Sequence, residues 1–268
     1  MVKAAVLYEP NKPLGIEELT FEAPGPGEVL VKMMASGVCH SDWHMVKGEW
    51  GGSFPMVLGH EGAGIVEAVG ADVAGVQAGD HVVLSWKTSC GLCEMCQVGY
   101  PNLCDAEADQ RGQPHLLNSG RQMDKFNGLG TFSTETILPQ DVVIPIDKEI
   151  PLPQAALVGC GVVTGVGAVL NTAKVQPGKS VAVFGCGGVG LNVIQGAMIA
   201  GAEPIIAIDI LNNKLELGKQ FGATHTVNSS QVDPVMAIQD LTEGQGVHYA
   251  FEAIGLISDP FKQSILCT

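Results

Sequence analysis

The chain has 268 residues, 46% of them hydrophobic and 16% charged. It exceeds the usual span of one domain and holds enough apolar residues for a core, which excludes wholesale disorder and makes two domains the first expectation. Fourteen basic against 28 acidic residues give a formal net charge of −14, a field that repels phosphate backbones and anionic lipid and argues against nucleic-acid or membrane partners.

From the N-terminus, the first twenty residues lack the apolar core and small-residue cleavage site of a signal peptide. Short β-type runs broken by Gly and Pro follow at 2–7, 28–35, 64–69, 81–85 and 142–145. Helical periodicity is scarce there, so residues 1–156 read as a mostly antiparallel, partly closed β domain. Residues 105–130 hold no persuasive strand and read as a loop. Beyond about residue 156 the pattern changes. Strands are expected at 181–184, 205–209, 226–228 and 248–253, with helices at 189–200, 213–221 and 234–241 between them. This βαβ alternation over 157–268 implies a parallel sheet with right-handed crossovers. The apolar stretch 181–202 is broken by Gly185, Gly187, Gly188, Gly190, Asn192 and Gln195, which makes it a poor membrane span and a good nucleotide-binding turn.

Gly185-Cys186-Gly187-Gly188-Val189-Gly190 fits G-x-G-x-x-G. In a chain with 35 glycines the string alone is weak. An apolar strand before it, an apolar helix after it, and Asp209 at the end of the next strand make it a dinucleotide fingerprint. Gly185 makes the tight turn, Gly187 admits the pyrophosphate, and Gly190 lets helix pack on strand, while N–H groups at the helix start hold phosphate charge. Asp209 would accept the adenosine ribose hydroxyls and repel a 2′-phosphate, favouring NAD over NADP. Lys214 reads equally as a second ribose contact or as an exposed helix lysine.

Eight cysteines in a chain this long need no disulfide framework; clustered thiols in a reducing compartment read as metal ligands, with the cytoplasm as the default location. Cys90, Cys93, Cys96 and Cys104 have the spacing C-x2-C-x2-C-x7-C, the closed four-thiolate shell of a structural zinc. A ferredoxin cluster would bring its fourth cysteine after three residues and follow it with proline, so zinc is preferred over iron–sulfur. Cys39, His60 and Cys160 remain as a candidate Cys2His shell with one position open for a substrate oxygen. From the residues alone, a buried cysteine and a core histidine are competing readings. Cys186 and Cys267 read as small buried hydrophobes.

The chain resembles the zinc-dependent medium-chain alcohol dehydrogenases, near the group containing the glutathione-dependent formaldehyde and nitrosodimethylaniline-dependent bacterial enzymes. GVCHSD at 37–42, GHEGAGIVEAVG at 59–70, GDHVV at 79–83, CGLCEMC at 90–96, LVGCGVVTG at 157–165 and VAVFGCGGVG at 181–190 carry the resemblance. It implies a GroES-like catalytic domain over 1–156, with a structural-zinc loop at 90–104, and a Rossmann coenzyme domain over 157–268 limited to its first four strands. The family's two further strands and return segment have no counterpart, so the sequence reads as incomplete at its C-terminus. The implied cofactors are two zinc ions per subunit and NAD, with Cys39, His60 and Cys160 as catalytic zinc ligands. Glu61 matches the acid beside that metal. Ser41 matches the hydroxyl that takes the alcohol proton, and His44 the surface histidine that ends the relay. His40 matches the position facing the coenzyme pyrophosphate, and Thr164 a residue near the nicotinamide. Gly188 and Val189 complete the pyrophosphate turn. Trp86 matches the aromatic wall of the substrate pocket, with plain core packing as the other reading.

The implied reaction is reversible oxidation of a primary alcohol to an aldehyde by a homodimer or homotetramer. The stretch 50–55 lacks an acid to hold a glutathione adduct, which sets a simple, aromatic-tolerant alcohol ahead of an S-hydroxymethyl thiol adduct. A non-catalytic remnant folded around structural zinc is the third reading.

Overall fold

The protein is described by a computed structural model over residues 2–20, 22–87, 89–105, 117–118 and 120–268. The chain folds as two compact units, 1–160 and 161–268.

The first unit is built on two sheets. Strands β1 (Val2–Leu7), β2 (Gly15–Leu19), β3 (Glu28–Gly37), β4 (Met56–Val57), β5 (Glu61–Val69), β6 (His81–Leu84), β7 (Leu117–Asn118), β8 (Arg121–Gln122), β9 (Asp124–Lys125), β10 (Glu135–Pro139) and β11 (Val143–Ile146) supply them. One sheet runs β2-β1-β4-β9 and the other β10-β3-β5-β6-β11, while β7 and β8 pair separately. Val29 and Val31 point into the core while Lys32 is exposed, the period-2 alternation of a half-buried strand. They meet Val66, Val82, Leu84, Leu138 and Val143 in one apolar cluster. Two smaller clusters, one around Val6, Leu19 and Val57 and one around Leu7, Met45 and Leu58, bind the other sheet.

Three sequence expectations need correction here. Helix α1 (His40–Lys47) stands in the half where helical periodicity is scarce. Strands β2 and β10 lie outside the expected β-type runs. Residues 117–125 form β7, β8 and β9 rather than loop; 106–116 and 119 lie outside the described residues. A short helix, α2 (Glu94–Gln97), lies in the cysteine-rich segment, and α3 (Leu152–Leu157) packs on β3 and β5.

In the second unit, α4 (Val163–Gly167) precedes β12 (Val181–Phe184), α5 (Gly188–Ile199), β13 (Ile205–Asp209), α6 (Asn212–Gln220), β14 (His225–Asn228), α7 (Pro234–Leu241), β15 (Tyr249–Glu252) and α8 (Ser258–Leu266). The four strands are all parallel, in the order β14-β13-β12-β15. The central strands are sandwiched, so β12 sends Val181 and Val183 to one apolar cluster with Val193, Ile194 and Leu215, and Ala182 and Phe184 to another with Ile238 and Cys267. Helices α5 and α6 therefore cover one face of the sheet, and α7 and α8 the other. The helical run Leu152–Ala173 is long and apolar enough, by length and composition, to cross a membrane. Within it α3 packs on strands of the first unit and α4 on α5.

Candidate metal centres and dinucleotide turn

The first centre begins with α1. Cys39 is its N-cap, with extended backbone (φ −101°, ψ 157°) and a sulfur that accepts the Ser41 N–H at 3.5 Å. Asp42, at the third helical position, reciprocates: its Oδ2 accepts the Cys39 N–H at 3.0 Å, closing a capping box. Its other oxygen accepts the Gly59 N–H at 2.9 Å and lies 3.3 Å from His60 Nδ1. One carboxylate, 2% exposed, thus ties the helix start to the strand-entry loop and orients the imidazole. With Nδ1 taken by Asp42, Nε2 is left as the ligand atom. Cys160 comes from a π-helical turn, Val158–Val162. That turn lies close against β6, where a Cβ on Gly159 would meet the Leu84 carbonyl oxygen at 2.7 Å. The ligand atoms of Cys39, His60 and Cys160 all lie within 4.8 Å of one another.

The electrostatics match a metal's demand. The Cys39 thiol is drawn down to about 3, chiefly by its hydrogen bond from Cys160, against burial and with help from His60 and Ser41. Burial opposes charge on His60, yet Asp42 and Cys39 outweigh it and raise the imidazole to about 9. Two thiolates and a neutral imidazole are a fitting donor set for zinc, one ligand short of a closed shell. Glu61 is buried beside the trio, and a Cβ on Gly37 would collide with its carboxylate.

Other residues named from the sequence take these places. Ser41 Oγ is 3.6 Å from Cys39 Sγ. His40 is exposed on α1, with its ring 5.7 Å from that of His44. His44 hydrogen-bonds Glu49 and stacks on Trp50 at 4.8 Å. Trp86 is 37% exposed in the turn after β6. Sequence reasoning does not single out Asp42. The available signal is an acid three residues after a helix-capping position.

Cys90, Cys93, Cys96 and Cys104 form the second centre, again with all ligand atoms within 4.8 Å. Two sulfurs on one tetrahedral zinc lie about 3.8 Å apart, and Cys93 and Cys104 are 3.9 Å apart. Backbone N–H groups of Cys90, Leu92 and Cys93 point at the sulfurs at 3.3–3.4 Å. Backbone donors at Asp105 and Cys96 draw Cys93 down to about 6, whereas desolvation and then the neighbouring sulfurs push Cys96 up to about 12. Lys87 Nζ donates to the Cys104 carbonyl at 2.8 Å, tying this lobe to the Trp86 turn. No disulfide forms among the described residues. Cys186 and Cys267 are buried, and burial pushes their thiols up to about 12 and about 11.

The dinucleotide turn lies in the second unit. Gly185 has φ +94°, and a Cβ on Gly190 would sit 1.7 Å from the Gly185 carbonyl oxygen, so helix and turn touch backbone to backbone. A Cβ on Gly187 or Gly188 would meet open space, leaving the α5 N-terminus accessible to a phosphate. Its N-cap residue, Gly187, has no side chain to cap it. Val189 follows in the first turn of α5. Asp209 ends β13 and accepts the Cys186 N–H at 2.9 Å and the Leu211 N–H at 3.0 Å, which fixes its carboxylate beside the turn. The field of Lys214 reaches Cys186, placing that lysine toward the same turn. Thr164 is exposed on α4.

Both halves of this arrangement match known families. Residues 25–148 match the alcohol dehydrogenase GroES-like domain, and residues 188–268 the zinc-binding dehydrogenase domain. Alcohol dehydrogenase class-3 of Zea mays is 45% identical over 267 residues, covering 96% of this chain and 70% of that protein. The chain belongs to the zinc-binding medium-chain dehydrogenases. The S-(hydroxymethyl)glutathione dehydrogenase of Saccharomyces cerevisiae is also 45% identical, over 94% of this chain and 69% of that protein. Among solved structures of these dehydrogenases, a Burkholderia ambifaria alcohol dehydrogenase zinc-binding domain protein matches with TM-score 0.91 at 40% identity, covering 99% of this chain and 74% of that one. Benzyl alcohol dehydrogenase of Acinetobacter calcoaceticus matches with TM-score 0.89 at 37% identity, with the same coverages. The family's activity is zinc- and NAD-dependent dehydrogenation of small alcohols and aldehydes. This chain has the GroES-like and Rossmann-like parts of the fold and two clusters suited to the catalytic and structural zinc.

Proposed function

We propose that this protein oxidises the hydroxymethyl adduct of a low-molecular-weight thiol, transferring hydride to NAD, and works in reverse as an aldehyde reductase. The observation that carries the dehydrogenase reading is the trio of Cys39, His60 and Cys160, their ligand atoms brought within 4.8 Å of one another and held by Asp42, with no fourth ligand grouped with them among the described residues. For the substrate, the relatives weigh against the sequence preference for a simple alcohol. Four of the similar proteins, from yeast to Haemophilus influenzae, are S-(hydroxymethyl)glutathione dehydrogenases at 43–45% identity. The likeness to benzyl alcohol dehydrogenase keeps a simple primary alcohol as the second reading.

In this proposal Cys39, His60 and Cys160 hold the catalytic zinc, and Cys90, Cys93, Cys96 and Cys104 the structural one. When bound, zinc supplies the positive charge that makes an alcohol acidic near neutral pH, and the nicotinamide supplies the hydride acceptor. Ser41 takes the alcohol proton and His44 releases it at the surface. Glu61 tunes the charge beside the trio. Trp86 walls the substrate pocket. Gly185, Gly187, Gly188, Val189 and Gly190 receive the pyrophosphate, and Asp209 with Lys214 the adenosine ribose, which favours NAD over NADP. His40 faces the pyrophosphate and Thr164 the nicotinamide. A homodimer or homotetramer rests on the family resemblance. The cysteine clusters, which read as metal ligands, support a reducing, cytoplasmic setting.

Turnover of formaldehyde and of simple alcohols, each with and without added glutathione, tests the substrate. Formaldehyde oxidation that requires the thiol supports the adduct. Thiol-independent oxidation of a simple alcohol, with no thiol-stimulated formaldehyde oxidation, replaces it with the second reading.

A further inference from the structure

His44 lies in the last turn of α1, and the chain beyond it folds back over its ring. Gly48 takes a left-handed conformation (φ 69°), its N–H donates to the Met45 carbonyl at 3.1 Å, and the Glu49 N–H reaches the His44 carbonyl at 2.9 Å. This is a Schellman-type closure, which needs the glycine. It aims the Glu49 side chain back along the helix, so that Glu49 Oε2 meets His44 Nδ1. Trp50 then covers a face of the imidazole, with ring centroids 4.8 Å apart and planes 25° from parallel. In ring or hydrogen-bond contact with His44 the titratable groups are Glu49 at Nδ1 and His40 one turn back. The His44 side chain is only 14% exposed, whereas Glu49 is 43% exposed. Water therefore meets the carboxylate far more than the ring.

We propose that Glu49 is a positioning residue for proton release. It holds His44 as the Nδ1–H tautomer, which keeps Nε2 as the free base, and it receives the Nδ1 proton when another arrives at Nε2. One N–H bond forms at Nε2 as the Nδ1–H bond breaks. Glu49 becomes a neutral carboxyl and returns to carboxylate by losing that proton to water or buffer, with no change of oxidation state. The same logic makes a carboxylate partner fix histidine tautomers elsewhere. The proposal rests on His44 ending the proton path, as argued above.

The test uses the zinc-loaded protein and two readouts. Long-range 1H–15N spectra report the His44 tautomer in wild type, E49A and E49Q. The dependence of kcat/KM on pH and on added imidazole buffer is followed in the same proteins and in H44Q. Wild type and E49Q are expected to show the Nδ1–H tautomer, because glutamine still accepts that hydrogen bond, and E49A the Nε2–H form that free imidazole prefers. In dilute buffer E49A and E49Q are expected to lose about tenfold in kcat/KM and to recover it as imidazole is added. A wild-type tautomer and wild-type buffer response in E49A overturn the proposal. If H44Q alters the buffer response and E49A does not, Glu49 alone is refuted. If H44Q behaves as wild type, the proton path through His44 falls, and the role of Glu49 with it.

Discussion

Asp42 is the residue on which the first metal centre hangs, and its replacement by alanine makes a quantitative test. The carboxylate accepts the Cys39 and Gly59 N–H groups at 3.0 and 2.9 Å and lies 3.3 Å from His60 Nδ1, all within a region where Asp42 is 2% exposed. Hydrogen bonds to a charged group contribute about 1.5–3 kcal/mol each, and a buried donor left without a partner costs about 1–3 kcal/mol. Three donors lose one shared acceptor, and local relaxation recovers part of the loss, so D42A is expected to lower stability by about 3–5 kcal/mol. The milder D42N keeps one accepting oxygen. It serves best toward Gly59 and His60, which sacrifices the cap on Cys39 and costs about 1–2 kcal/mol. Loss of the partner that orients His60 is expected to weaken zinc at this site about 10–100-fold, while the four-cysteine site is unaffected. Competition with a chromogenic chelator reads the two sites as tight and weak classes, and urea unfolding reads stability. Two equally tight zinc ions in D42A, with stability within about 1 kcal/mol of wild type on the scale of ordinary surface changes, would refute the reasoning.

Three further outcomes follow from other parts of the molecule. C93S is expected to leave one zinc per chain instead of two, with a lower melting temperature, since its sulfur lies 3.9 Å from Cys104 Sγ inside the shell; metal analysis after dialysis checks it. G190A places a methyl group 1.7 Å from the Gly185 carbonyl oxygen. It is expected to cost ~3 kcal/mol by overpacking and to weaken NAD binding as measured by calorimetry. In chelator-treated protein, His60 is held at about 9, above its unfolded value, so its contribution to stability is full below about pH 6.5 and lost as pH rises through 9. Cys39, held at about 3, contributes fully above about pH 9 and loses that contribution as pH falls toward 3. Chemical unfolding across this range should therefore show the zinc-free H60N variant losing less stability than the zinc-free parent between pH 6.5 and 9.

How much of this could be read in the sequence depends on where the physical signal lies. The parallel sheet was legible because β12 and β13 are buried on both faces and spaced by helices of ordinary length. The dinucleotide turn was legible because backbone contact at Gly190 leaves room for no other residue. Helix α1 was not, because only Asp42 and Met45 of its eight residues are buried, and its ends are set by the Cys39 and Gly48 caps instead of by an apolar stripe. Strand β2 hid for a related reason. Ile16 is 73% exposed, so the alternation that marks a half-buried strand is inverted there. The four-cysteine lobe announces itself by spacing, since its ligands are local. The trio of Cys39, His60 and Cys160 does not, since a π-helical turn about 100 residues away must be folded against β6 before the ligands meet. Asp42 is visible only as a convergence of a helix start and the Gly59–His60 segment before β5, which no linear pattern encodes.

Zinc-edge X-ray absorption on the purified, zinc-loaded protein distinguishes an open Cys2His zinc beside the four-cysteine site from a single closed zinc. Two zinc ions per chain are expected, sharing six sulfurs, one imidazole nitrogen and one light, exchangeable ligand, about three sulfurs and half an imidazole per zinc on average, with the single imidazole lost in an H60A variant. One zinc per chain in a pure four-sulfur shell, unchanged by H60A, would contradict it.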